Sequence, residues 1–193
     1  MKSIRVFLLV LIVIGIGLLF TQGLWVPPLV SWILRPAPAV SLTALETATS
    51  VSDYKDATYT IDGQSVTLVN GKATSESAPG SASKVMTQYF GNQAVGDLNG
   101  DGVPDVAFIL TQEGGGSGTF YYVVAALKSG DGYHGTNAVL LGDRIAPQTT
   151  EIKNGELIVN YAERKAGEPM TAQPSMGVSK YLTVIGGTLT AAQ

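Results

Sequence analysis

The sequence VAFILTQEGGGSGTFYYVVAAL, residues 106–127, decides the fold class of this chain. It contains two apolar runs, Val106–Thr111 and Thr119–Leu127, which are rich in the β-branched and aromatic residues that favour strands. Neither run shows the 3.6-residue spacing of an amphipathic helix, and a glycine-rich segment separates them. We therefore predict two central β-strands joined by a loop.

From residue 53 onward, the sequence on either side of this stretch has the same character. Short β-branched or aromatic runs alternate with glycine, asparagine and aspartate, which is typical of strands and turns. Asp62-Gly63 is a strong hairpin signal, and Asn70-Gly71 and Asn154-Gly155 mark further turns. The other predicted strands are Ala57–Ile61, Ser65–Val69, Lys84–Val95, Ala138–Leu141, Gln148–Ile152, Leu157–Tyr161 and Tyr181–Ile185.

One of these segments, Lys84–Val95, has a second interpretation, because Ser83–Phe90 is also compatible with a helix. We favour the strand, since no segment keeps a helical period over three turns. The prediction for residues 53–193 is an all-β, mostly antiparallel, sandwich- or barrel-like single domain. This length suffices to bury a core without disulfides or structural metals.

The composition restricts the chemistry that the protein can perform. The 193 residues include no cysteine and one histidine, which excludes disulfides, thiolate zinc sites, cysteine nucleophiles and sites that need two imidazoles. Only 14% of residues are charged, against about 25% in average domains, so an apolar segment must lower the mean. From residue 36 onward, nine basic and fifteen acidic residues give a net charge of −6, which argues against a nucleic-acid partner.

That apolar segment lies at the N-terminus. Val6–Leu34 carries no charge over 29 residues, and about 20 apolar residues are enough to span a bilayer. Residues 1–35 are therefore predicted to form a transmembrane helix that acts as a signal anchor. Lys2 and Arg5 precede the apolar run and favour a cytoplasmic N-terminus. The predicted protein is a single-pass membrane protein with an extracytoplasmic C-terminal domain.

A cleaved signal peptide, with Val6–Phe20 as its apolar core, is the alternative. It would make the protein secreted, but Ala37-Pro38-Ala39 lies too far beyond Phe20 for a usual cleavage site. No cysteine follows the apolar run, so bacterial lipoprotein processing is excluded. Residues 36–52, rich in Pro, Ala, Ser and Thr, are predicted to be a linker, in which Val40–Ala48 is also compatible with a short helix.

The strongest chemical signal is GDLNGDGVPD, residues 96–105. Oxygen-bearing side chains alternate along it, and calcium prefers six to eight oxygen ligands in a tolerant geometry. Gly102 permits a sharp turn, and neighbouring carboxylates repel one another unless a cation lies between them. The predicted calcium ligands are the side chains of Asp97, Asn99, Asp101 and Asp105 and the backbone carbonyl of Val103.

This loop, followed by the apolar VAFIL, resembles the calcium-binding loop of FG-GAP (integrin-type) repeats and dockerin-like segments. The resemblance implies the same five ligands. It departs from a full EF-hand at the twelfth position, where Phe108 replaces the bidentate glutamate. That departure implies a lower affinity and a site completed by water or by a distant ligand such as Glu113. A single loop of this kind excludes a seven-bladed integrin-like propeller.

More broadly, residues 53–186 resemble an uncharacterised exported bacterial β-rich domain, for which no activity is known. The motifs that carry this resemblance are Pro79-Gly80-Ser81, Gly96–Gly102, Gly116–Tyr122, Leu141–Arg144 and Tyr181-Leu182.

The remaining motifs indicate no catalysis. The glycine-rich Glu113–Thr119 lacks the lysine and following helix of a phosphate-binding loop, and His134 lies between turn residues, so we expect a solvated loop histidine. The sequence therefore predicts a non-enzymatic structural or binding module of the cell envelope, whose partner is another envelope protein or a glycan. The alternative is a secreted or tethered hydrolase that acts on polysaccharide or peptidoglycan, which needs two suitably placed carboxylates.

Overall fold

A computed structural model of the chain describes residues 52–130 and 132–192. The predicted membrane segment, residues 1–35, and nearly all of the predicted linker, residues 36–52, lie outside the described residues. Within the described part of the chain, no helix is long and apolar enough to cross a bilayer.

The described residues form twelve strands preceded by a short 3-10 turn at Tyr54–Asp56, and they contain no α-helix. All pairings between these strands are antiparallel, which confirms the prediction of an all-β, antiparallel fold. The strands are β1 (Thr58–Ile61), β2 (Gln64–Thr67), β3 (Lys72–Glu76), β4 (Lys84–Gly96), β5 (Asp105–Glu113), β6 (Phe120–Ser129), β7 (Gly132–Gly135), β8 (Val139–Asp143), β9 (Ala146–Lys153), β10 (Glu156–Glu163), β11 (Met176–Ile185) and β12 (Thr188–Ala191).

The two apolar runs around residues 106–127 form the centre of the largest sheet. Its order is β3-β4-β5-β6-β7, and β8 also pairs with β6. β5 and β6 pair in continuous register from Val106↔Ala126 to Gln112↔Phe120. The prediction of two central strands is therefore confirmed.

The sheet is buried on both faces, which explains why these runs are almost continuously apolar. Phe108 and Val124 lie on the face that packs against the β1–β2 hairpin. There they form a core with Tyr59 of β1 and with Leu68, which follows β2. The opposite face of the sheet contributes to a second core. The members of that core are Leu98, Ala107, Ile109, Val123, Ala125, Leu141 and Ile145, with Leu157, Val159, Tyr161, Leu182 and Leu189 from the four-stranded sheet β12-β11-β10-β9.

The β1–β2 hairpin closes through the predicted Asp62-Gly63 turn, where both residues have positive φ values of 49° and 79°. Its approach to the large sheet depends on Gly135 of β7. A Cβ atom at this position would overlap the carbonyl of Thr58 and approach the Tyr59 ring to 2.6 Å. Glycine is thus required here for close packing.

Three strands escape prediction from the sequence, and several others are longer than predicted, β11 most of all. β3 and β12 lie at sheet edges, and β7 is only four residues long, so none has a strong hydrophobic alternation. β11 begins at Met176 rather than Tyr181. His134, expected in a loop, lies in β7 opposite Leu127, because backbone pairing with β6 extends through the turn residues around it.

The segment with two interpretations is a strand, β4, and it is irregular. Its pairing with β5 shifts register between Tyr89 and Gly91 and again between Gly91 and Ala94. Beyond these bulges the strand runs close to β9. At Gly96 a Cβ atom would lie 2.7 Å from Cγ2 of Ile152. This contact positions the loop that follows β4.

Candidate metal centre

The predicted calcium ligands lie on one loop, residues 97–104, and on the first residue of β5. We call residues 97–104 the acidic loop. It connects two neighbouring antiparallel strands of the large sheet. Its ends are therefore fixed by ladder pairing, with Gly96 opposite Asp105.

Asp97 organises the first half of the acidic loop. One carboxylate oxygen, Oδ1, accepts a hydrogen bond from Gly100 N at 2.7 Å, and Oδ2 accepts one from Gly102 N at 2.9 Å. These backbone donors, led by Gly102, hold the pKa of Asp97 below its ordinary value. Gly100 and Gly102 have φ values near +80°, which confirms the sharp turn predicted at Gly102.

Asn99 and Asp101 organise the exposed tip. Asn99 Oδ1 accepts from Asp101 N at 3.0 Å, and Asp101 Oδ1 accepts from Val103 N at 2.7 Å. The two side chains also bond to each other, since Asn99 Nδ2 donates to Asp101 Oδ2 at 3.0 Å. The tip is thus held by short local bonds between side chains and backbone.

Asp105 differs from the other acidic residues because it is completely buried. Its Oδ2 accepts from Leu98 N at 2.9 Å and its Oδ1 from Lys128 N at 2.8 Å, so it joins the acidic loop to β6. Burial raises the pKa of this carboxyl above its ordinary value, and the charges of Asp101 and Asp97 raise it further.

No basic side chain neutralises these carboxylates within the described residues. The ion pairs found there are Lys84–Glu76 and Arg144–Asp143, and neither involves the acidic loop. The acidic loop therefore concentrates negative charge that hydrogen bonds from backbone N–H groups and from the Asn99 side-chain amide stabilise.

The predicted ligands are close in space, but they do not converge. Across the described ranges, no three acidic or histidine side chains are grouped so as to hold a metal ion. In this structure both carboxylate oxygens of Asp97 and Asp105 and Oδ1 of Asp101 accept from backbone N–H groups, and Oδ2 of Asp101 accepts from the Asn99 side chain. Each such oxygen retains a second lone pair, so its present hydrogen bond does not prevent metal ligation.

Glu113 is too distant to complete this site. It ends β5, the strand that Asp105 begins, and eight residue rises of about 3.4 Å separate the two by about 27 Å. Its Oε1 instead accepts from Thr119 Oγ1 at 3.2 Å, across the glycine-rich loop. The expectation that Glu113 serves as a distant ligand is therefore wrong, because the extended strand carries it to the opposite end of the sheet.

A surface pocket of about 470 Å³ lies beside the acidic loop. One side of the pocket is Asp97, and the other is the turn between β9 and β10. The contact between Gly96 of β4 and Ile152 of β9 brings these two sides together. Sequence reasoning identified Asn154 only as a turn residue, and no signal in the sequence connects it to Asp97. The pocket is lined by Gly96, Asp97, Gly100, Ile152, Asn154 and Gly155.

The atoms that the acidic loop offers as metal ligands suit a hard cation. The side-chain atoms of the acidic loop and Asp105 that could bind a cation are carboxylate and amide oxygens, the ligand type that calcium prefers, and neither thiolate nor imidazole is present there. Asp97, Asn99, Asp101 and Asp105 would hold such an ion. The arrangement offers no nucleophile paired with a base.

Comparison with protein-family models, with curated proteins and with solved structures gives no match.

Proposed function

We propose that this protein is a calcium-binding, non-enzymatic module of the cell envelope. The observation that carries the proposal is Asp105, a completely buried carboxylate beside Asp97 and Asp101, with no basic side chain paired to any of the three among the described residues. Burying a charge without a counter-ion is costly, and like charges nearby raise that cost. A divalent cation at the acidic loop would remove both penalties.

When bound, the ion supplies positive charge that neutralises the acidic loop. The residues of the chain would hold the ion by the oxygens that they present to it. Asp97, Asn99 and Asp101 present oxygens from the loop, the Val103 carbonyl adds a backbone oxygen, and Asp105 ties the site to the sheet through its bonds to Leu98 and Lys128. The role of the ion is thus structural.

The whole protein, in this proposal, is a sandwich-like domain tethered to the membrane by an N-terminal helix. Residues 1–35 form the anchor, residues 36–52 the linker, and residues 53–193 the extracytoplasmic domain, whose partner is another envelope protein or a glycan. The uncharged run Val6–Leu34 supports the anchor.

A hydrolase receives less support from the same residues. A glycoside hydrolase needs an accessible acid with a raised pKa. Among the described carboxyl groups, the one whose pKa is raised is Asp105, which is buried with both oxygens bonded to backbone N–H groups. Substrate cannot reach it without unfolding of the loop.

Removal of calcium is the direct test of the proposal. For a dissociation constant of about 10 µM and about 1 mM free calcium, binding to the folded state alone contributes about 2.7 kcal/mol of stability. Chelation should therefore lower the melting temperature of the purified full-length chain by about 5–16 °C, as followed by circular dichroism. Magnesium should substitute poorly, because it requires a tighter octahedron and retains its waters.

The double variant Asp97→Ala, Asp101→Ala should lose this calcium dependence. Glu113→Ala, Glu151→Ala is the matched control, since it removes the same charge from exposed positions outside the acidic loop and should keep it. If the wild-type melts with calcium and with chelator coincide, the calcium proposal fails.

The membrane anchor has its own test. The mature chain should keep its N-terminus, remain in the membrane pellet after an alkaline wash and dissolve in detergent, because Val6–Leu34 is long enough to span the bilayer. Intact-mass measurement checks the N-terminus. A mature chain that begins after Gly23 or Ala39 would show that the segment is cleaved.

A further inference from the structure

The sequence contains three Asn-Gly pairs, Asn70-Gly71, Asn99-Gly100 and Asn154-Gly155, which the structure places in different surroundings. Asparagine followed by glycine is thermolabile, because the unhindered glycine nitrogen can attack the neighbouring side chain. We propose that Asn154 is a site of spontaneous deamidation and isoaspartate formation in the folded protein, whereas Asn70 and Asn99 are protected.

The reaction needs only the chain and water. The backbone nitrogen of Gly155 loses its proton and attacks Cγ of Asn154. The bond from Cγ to the side-chain nitrogen breaks, ammonia leaves, and a five-membered succinimide remains. Water then adds to one of the two ring carbonyls, and the bond from that carbonyl carbon to the ring nitrogen breaks. Opening at Cγ gives aspartate, and opening at the backbone carbonyl carbon gives isoaspartate. One water is consumed and one ammonia is released.

Asn70-Gly71 is held against this attack. Gly71 N donates to the carbonyl of Lys55 at 2.8 Å, and the Gly71 carbonyl accepts from Tyr89 N at 2.7 Å. A Cβ atom at Gly71 would lie 3.0 Å from Cβ of Tyr89, so the turn is tightly packed. The attacking nitrogen is therefore already bonded, and the turn has little room to rearrange.

Asn99-Gly100 is protected in a different way. Gly100 N donates to Oδ1 of Asp97 at 2.7 Å, a bond to a charged acceptor. Such charge-assisted bonds are roughly twice as strong as bonds between neutral groups. Attack would require this bond to break and the acidic loop to open.

Asn154-Gly155 has neither form of protection. No described residue accepts a hydrogen bond from Gly155 N, Asn154 is exposed, and a Cβ atom at Gly155 would meet no atom within 4 Å. Its backbone nevertheless matches that of the protected turn. The φ values are 53° and 77° at residues 154 and 155, against 52° and 76° at residues 70 and 71.

These two turns are therefore a matched pair. Both start from nearly the same φ values and must leave them to form the succinimide, so backbone conformation does not distinguish them. A difference between their deamidation rates therefore reports the hydrogen bond and packing at Gly71. Deamidation of Asn154 would also change the charge near the acidic loop, since Asn154 and Asp97 line the same pocket. Deamidation would place a new carboxylate beside the acidic loop.

The test is to age the purified full-length chain at mildly alkaline pH and to measure deamidation at each pair by mass spectrometry after digestion at low pH. A parallel sample in concentrated urea gives the intrinsic rate of each pair. Relative to these intrinsic rates, we expect Asn154 to react about fivefold or more faster than Asn70 in the folded protein, since breaking one backbone hydrogen bond slows the reaction by about that factor.

Isoaspartate must appear at residue 154, because direct hydrolysis of the side chain gives aspartate alone. The variant Asn154→Gln, whose longer side chain disfavours the five-membered ring, should leave no product at this position and unchanged rates at Asn70. Normalised rates that are equal at Asn154 and Asn70, or aspartate without isoaspartate, would overturn the proposal. Neither outcome depends on calcium binding.

Discussion

Replacing Phe108 with alanine should destabilise the domain by about 3–5 kcal/mol, the usual cost of removing a fully buried phenylalanine. Phe108 lies at the centre of β5 and has no exposed surface. Its ring packs against Tyr54, Tyr59 and Tyr89, with centroid distances of 5.3–5.5 Å. The substitution therefore removes apolar contacts and leaves a cavity between the sheet and the β1–β2 hairpin.

Chemical denaturation of the full-length chain measures this loss, and Phe90→Ala is its control. Phe90 lies in the neighbouring strand β4 and is 47% exposed, with one ring contact to Tyr121 at 5.3 Å. Its removal should cost about 1 kcal/mol. Equal losses for the two variants would contradict the placement of Phe108 in the core.

Replacing Asp105 with alanine should cost about 2–5 kcal/mol even in the presence of a chelator. The carboxylate is the acceptor for the N–H groups of Leu98 and Lys128, and each donor left unsatisfied in a buried position costs about 1–3 kcal/mol. The loss arises from the folded apoprotein, so it is separate from any effect of calcium. Thermal and urea unfolding in chelator give its size.

Asp101→Ala is the comparison for this prediction. Asp101 also accepts a backbone hydrogen bond, from Val103 N, but it is exposed, so water can replace it. We expect a loss of about 1 kcal/mol or less. If Asp101→Ala and Asp105→Ala are equally destabilising in chelator, then Asp105 does not have the anchoring role assigned to it.

Most of the strand pattern could be predicted, because local sequence carries it. The β5 and β6 runs are buried on both faces and so are apolar throughout, and Asp62-Gly63 and Asn154-Gly155 adopt the positive φ values of tight hairpin turns. β3 and β12 were missed, since an edge strand with few buried residues is held by pairing rather than by its own composition.

The candidate site was predictable in composition and only partly in geometry. The spacing of Asp97, Asn99 and Asp101 indicated a tight loop, and the structure shows such a loop held by the hydrogen bonds of these side chains. It did not reveal that backbone N–H groups occupy those oxygens, nor that Glu113 lies at the far end of β5. The first depends on the local conformation of the loop, and the second on the length of the strand that follows.

The sequence by itself determined the all-β class, the central strands and the position of the acidic loop, since each follows from residues adjacent in the chain. Tertiary structure alone decided which of the aspartates is buried and which of the Asn-Gly pairs is protected. Asp105 is buried and accepts a hydrogen bond from Lys128 N of β6. Gly71 is shielded because Lys55 and Tyr89 pack on it, whereas Gly155 remains open. Hydrogen bonding and burial depend on neighbours distant in sequence, so identical Asn-Gly pairs and similar aspartates acquire different chemistry only when the sheets pack.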